Sequence, residues 1–203
     1  MGRVEAGLTA PGRAAYTARM TKPLLDPAAL APMGATPEDV RARLDRELDL
    51  FHAHLRTRQQ DWTRTQPGRD WSPAQEAEHV LKINDSIARG VGLLLSEREL
   101  RPMPQTPGEL TPDGRRVAPP HTQPGDTGLA WDDLDATWAH SRAGLSTVTG
   151  ALRATPGRTL WHPFFGELDA LDWTRMVAAH LYQHRKALER SAQPQSLQEP
   201  SLP

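Results

Sequence analysis

Two histidines four residues apart, His180 and His184 in the stretch DWTRMVAAHLYQHRKALER (Asp172 to Arg190), are the strongest chemical signal in this chain. On a helix, residues at that spacing differ by about one turn and about 40° of rotation, so both imidazoles can aim at one point roughly 6 Å from each backbone. That is the geometry of a two-ligand metal clip, and a firm site needs a third ligand. His79, at the core margin of a second amphipathic segment, DWSPAQEAEHVLKIND, is the best candidate. Placing imidazoles on a core-facing stripe with no such purpose would leave polar nitrogens buried without partners.

Other metal schemes fail on the letters. The zincin motif needs a glutamate directly after the first histidine, and that position is Leu181. Glu76 and His79 form one Glu-x-x-His element of the kind used twice in di-iron carboxylate bundles. No second copy exists, because Val177 and Leu181 stand three residues before His180 and His184. The chain has no cysteine, which excludes disulfides, thiolate ligands and a cysteine nucleophile. What survives is a mononuclear site of three imidazole nitrogens. On zinc, nickel or iron such a set leaves a coordination position open, where water would be acidified or a thiolate could bind, and either is a nucleophile.

These residues must be held by helices. The segment TPEDV opens the first, with Thr36 as cap and Pro37 at the first position. Val40, Leu44, Leu48, Phe51 and Leu55 then form one apolar stripe, and the helix ends before Pro67. Ser72, Pro73 and Gln75 give the second helix a capping box, and Val80, Ile83, Ile87, Val91 and Leu94 make its stripe. Trp131, Leu134, Trp138, Leu145, Val148 and Leu152 mark a third, stopping near Pro156. The fourth carries Trp173, Val177, His180, His184 and Ala187. With no convincing strand, the expectation is an all-α four-helix bundle over residues 36–190. A long crossover, residues 101–125 with seven of the 19 prolines, joins helices two and three. Residues 1–35 read as a flexible N-terminal arm, with Met20 as an alternative start, and residues 191–203 as a disordered tail.

Composition narrows the partners. Twenty-four Lys and Arg against 25 Asp and Glu leave no cationic surplus for a phosphate backbone, so nucleic acid is not expected. No apolar run reaches bilayer length and no signal peptide is evident, so neither membrane nor export is expected and the reading is cytoplasmic. An exposed apolar helix face offers a route to a homodimer.

The pattern resembles a family: the DinB-like, YfiT-type metal-dependent hydrolases, which include bacillithiol- and mycothiol-dependent S-transferases. The likeness rests on DWSPAQEAEHVLKIND, where a Trp precedes a helix carrying the first histidine. It rests also on HPFFGELDALDWTRMVAAHLYQHRKAL, where an HP-FG-L-W lead-in precedes the histidine pair. It covers about residues 36–190. The resemblance implies a four-helix bundle with a long crossover and a divalent metal held at one end by His79, His180 and His184. It also implies a small-molecule substrate and a low-molecular-weight thiol such as bacillithiol as cosubstrate. Leu181 departs from the acidic or polar residue that many members carry there.

Two further readings stand beside this one. A non-catalytic, stress-related interaction bundle could keep the metal and no reaction, in line with the lack of a carboxylate beside the histidine pair. A purely structural helical domain would bind no metal at all. His162, ahead of Pro163, reads as an exposed loop histidine, His52 and His54 as surface residues, and the tryptophans as packing. Asn84 lies on the core stripe of helix two and needs a hydrogen-bond partner.

Overall fold

Where each helix begins is decided by its caps. The computed structural model describes residues 24–192, with α1 over Pro37–Arg56, α2 over Pro73–Leu95, α3 over Leu134–Thr149 and α4 over Ala170–Ser191. At α1 the Asp39 N–H donates to Thr36 Oγ1 at 3.2 Å and the Thr36 N–H to Asp39 Oδ2 at 3.0 Å, a reciprocal box. Ser72 and Gln75 repeat it at α2, and Asp169 caps α4 by accepting from Asp172 N–H at 2.9 Å.

Side-chain pairings fix the directions. Glu76 meets His184 and His79 meets His180, so α2 and α4 run antiparallel. Asp49 pairs with Arg142 and His52 with Asp135, so α1 and α3 are antiparallel too. Gly92 faces Val148, and Arg153 donates to the Leu95 carbonyl at 3.0 Å, which sets the C-terminal ends of α2 and α3 side by side. α1 packs chiefly on α4, while α2 packs on both α3 and α4. The bundle is thus up, down, down, up.

That order explains the long connection. Because α2 and α3 are parallel neighbours, the chain must retrace α2, about 35 Å for its 23 residues, before α3 can start. It is pinned as it goes. Gly108 N–H donates to the Pro163 carbonyl at 2.7 Å, the Lys82 ammonium to the Gln123 carbonyl at 2.9 Å, and Leu129 N–H to the Ala74 carbonyl at 3.1 Å. At Gly128, φ is +70° and a Cβ would lie 2.5 Å from backbone atoms of Ala74 and Gln75, so only glycine admits this approach.

The apolar stripe of α1 is fully buried, as are Val80, Ile87, Val91 and Leu94 of α2 and Leu134, Trp138 and Leu145 of α3. Four expectations need correction. The buried face of α4 runs through Val177, Ala178, Leu181 and Leu188, with His180 and His184 partly exposed on its flank. Two short antiparallel strands exist, β1 (Leu160–His162) and β2 (Gly166–Leu168), at a length where periodicity gives no signal. α3 ends at Thr149, before Pro156. Within the arm expected to be loose, Pro27–Met33 form a 3-10 helix against α4, with Leu30 buried and Arg175 donating to the Gly34 carbonyl at 2.9 Å. Residues 1–23, Met20 among them, and the tail from 193 lie outside the described residues. No helix among the described residues is long and apolar enough to cross a membrane.

Candidate metal centre

Two turns into α2 and midway along α4, the antiparallel pairing brings His79, His180 and His184 together, with one ring nitrogen of each within 4.8 Å of the others. The ring centroids lie 5.2 Å apart for His79 and His180, 5.1 Å for His79 and His184, and 4.3 Å for His180 and His184. The i,i+4 spacing on α4 accounts for the last pair, and the α2–α4 register for the other two.

Neighbours decide which nitrogen of each ring carries the proton. His79 Nδ1 lies 2.7 Å from the Thr122 carbonyl oxygen, which can only accept, so Nδ1 holds the hydrogen and Nε2 keeps its lone pair. His184 Nδ1 meets the Glu76 carboxylate, also an acceptor, and in the neutral ring this again leaves Nε2 bare. His180 Nε2 lies 3.3 Å from His79 Nε2, and its Nδ1 is enclosed with no partner among the described residues. Either tautomer of His180 is therefore unsatisfied. A proton on Nε2 strands a buried Nδ1 lone pair, and a proton on Nδ1 strands a donor and sets two lone pairs face to face. A cation accepting all three Nε2 lone pairs removes the second conflict. The 3.3 Å separation is also close to that of two nitrogens each about 2.0–2.1 Å from one tetrahedral ion.

Electrostatics keep two of the rings, His79 and His180, neutral. Burial, then the neighbouring His184, pushes His79 down to about 4 against the opposing pull of the Thr122 carbonyl and Glu76. Burial, then His184 and His79, holds His180 well below the ordinary imidazole value. Protons therefore do not compete for these two lone pairs at neutral pH. Glu76 is 1% exposed; burial alone would raise its carboxyl, but interactions with His184 and then Arg69 outweigh that and lower it. Trp71 closes one side, its ring 4.8 Å from that of His79.

Several residues stand differently from their sequence reading. Glu76, dismissed as half of a di-iron motif, orients His184, and its Glu-x-x-His spacing to His79 was the available signal. The Thr122 carbonyl had none, being a backbone atom 43 residues from its partner. His162 is no exposed loop histidine. It lies in β1, its Nδ1 accepts from the N–H groups of Phe164 at 3.0 Å and Phe165 at 3.2 Å, and burial followed by Arg116 pushes it down to about 4. Asn84 is buried with no side-chain partner among the described residues and reaches none of the three histidines.

Comparison with known proteins agrees with this architecture. The model of the DinB superfamily matches residues 43–188. No curated protein sequence matches the chain. Among solved structures, TT2238, described as a four-helix bundle protein, is similar at 26% identity with a TM-score of 0.55. The match covers 77% of this chain and all of that one.

Proposed function

The chain belongs to the DinB superfamily, and from that premise we propose that it is a cytoplasmic mononuclear metalloprotein, a metal-dependent hydrolase or low-molecular-weight-thiol S-transferase. His79, His180 and His184 would hold the divalent ion through Nε2. Bound there, zinc, nickel or iron would supply a Lewis acid that makes a water or a thiol such as bacillithiol nucleophilic at neutral pH. The chain's own residues prepare the place. Thr122 of the crossover and Glu76 fix the orientations of His79 and His184, and Trp71 walls the site on the His79 side.

The observation that carries this reading is the bare-Nε2 state of His79 and His184, each imposed by an acceptor on Nδ1. Elemental analysis of untreated protein tests it. One equivalent of metal is expected in the parent, with loss of that equivalent in His180→Ala and His184→Ala; unchanged stoichiometry in both variants would falsify the assignment.

One observation favours a second reading, a non-catalytic metal-binding or stress-related bundle. Glu76, the carboxylate at the triad, is committed to His184 and Arg69 and so is not a free base. Turnover of monobromobimane with bacillithiol or mycothiol separates the two, since persistent inactivity of fully metallated protein selects the binding module.

A further inference from the structure

The crossover carries a cation that the histidine triad does not use. Arg116 lies in a small hairpin closed by a Leu110–Arg116 bridge and by Val117 N–H donating to the Glu109 carbonyl at 2.9 Å. Its guanidinium sits 5.2 Å from the Phe164 ring centroid and 5.8 Å from that of Phe165. Arg115, its neighbour in the hairpin, is spent on Asp113 and Asp70. Arg116 has no carboxylate and no hydrogen-bond acceptor among the described residues, and it remains open to solvent. A guanidinium lying on aromatic faces keeps its edge donors free for a planar anion.

A second donor points the same way. Because His162 Nδ1 accepts two backbone N–H groups, the neutral ring carries its proton on Nε2, which has no acceptor among the described residues. The His162 ring packs on the same two phenylalanines as Arg116, 6.1 Å from Phe164 and 5.1 Å from Phe165. It lies 5.2 Å from the ring of Trp173, two turns before His180 on α4, so cation, free donor and triad are set along one flank of α4.

We infer that Arg116 and the Nε2–H of His162 form an anion subsite beside the triad, and that the small molecule bound there carries a carboxylate docked on it. The inference rests on the metal reading above and deepens it: the triad takes the reactive group and Arg116 takes the charged end. A bidentate guanidinium–carboxylate contact sheltered by Phe164 and Phe165 has the geometry that discriminates among substrates.

Two thiols of similar length, 3-mercaptopropionate and 2-mercaptoethanol, test this by NMR titration of Zn2+-loaded and EDTA-treated full-length protein, following the Arg116 Nε–H and His162 ring resonances. The carboxylate probe is expected to move both resonances in both forms, and to bind the Zn2+ form about tenfold or more tighter than the neutral probe. R116Q keeps its zinc stoichiometry and loses the preference, and R116K recovers part of it. Equal affinity for the two thiols in the parent, or a preference that survives in R116Q, overturns the subsite. If Zn2+ tightens neither thiol while the carboxylate still moves both resonances, the metal reading falls and the subsite stands.

Discussion

His184 and Arg185 are consecutive residues of α4, and each is gripped by a buried glutamate from a different helix. Arg185 Nη2 meets Glu47 Oε2 of α1 at 2.9 Å, while His184 Nδ1 meets Glu76 Oε2 of α2. Glu47 and Glu76 are almost equally enclosed, at 2% and 1% exposed. The difference lies in what the α4 side chain has left over. Arg185 spends its remaining donors on Glu189 at 2.6 Å and is finished as a chemical group. His184 has one nitrogen committed and one free. The same device, a carboxylate taken out of water, docks a helix in one place and orients an imidazole in the other. What decides between them is whether the partner is a permanent cation or a ring with two distinct nitrogens.

The sharpest way to break this contrast is Glu47→Ala, which removes the buried partner that Arg185 has across the α1–α4 interface and leaves it only Glu189 on its own helix. A loss of about 3–5 kcal/mol in urea unfolding is expected, with metal stoichiometry retained in the fraction that stays folded. Loss of metal from folded protein would show that the docking pair also shapes the triad.

Acid comes next. His79 and His162 are each held near 4 in the folded protein against 6.5 in an ordinary imidazole, so the unfolded chain takes up protons first as pH falls. Their contribution is complete above 6.5 and is lost progressively down to about 4. For EDTA-treated protein that amounts to about 2 kcal/mol per ring by pH 5. The Glu76 share, from a lowered carboxyl, is present above 4.5 and is lost only below that value. Denaturant melts at pH 7 and pH 5 measure the first loss, and His162→Gln should remove one ring's share. A melt unchanged between those two pH values would mean the rings are not held neutral.

Smaller still is Glu76→Gln. The amide oxygen can accept from Nδ1–H but carries no charge to strengthen the ring as a donor. Metal affinity should fall about ten- to hundredfold in competition with a chelator. An unchanged affinity would make Glu76 a docking residue like Glu47 and erase the contrast.

Much of this was legible in the letters, for a physical reason. Capping boxes at Thr36 and Ser72, apolar stripes on α1 and α2, and a histidine pair four apart are local patterns, and local patterns write themselves into sequence. The third histidine could be chosen because it lay on a core margin. What stayed hidden was non-local or short. β1 and β2 are too brief to show alternation. The flank position of His180 depends on which side of α4 meets α2, and the enclosure of His162 depends on backbone N–H groups that have no letter of their own. Glu76 was visible as a spacing but not as a partner, because its contact with His184 bridges two helices.

One contact made by the crossover bears on how this protein can change over evolutionary time. The ring of His79 is oriented by the main-chain carbonyl of Thr122, and every amino acid supplies that atom. As far as the ring is concerned, residue 122 can drift freely, whereas one substitution at Glu76 removes the corresponding support of His184. A lost or gained residue between Pro119 and Gly125 would do what substitution at 122 cannot, by pulling the carbonyl out of reach. Half of the site's alignment is therefore inherited as chain length rather than as residue identity.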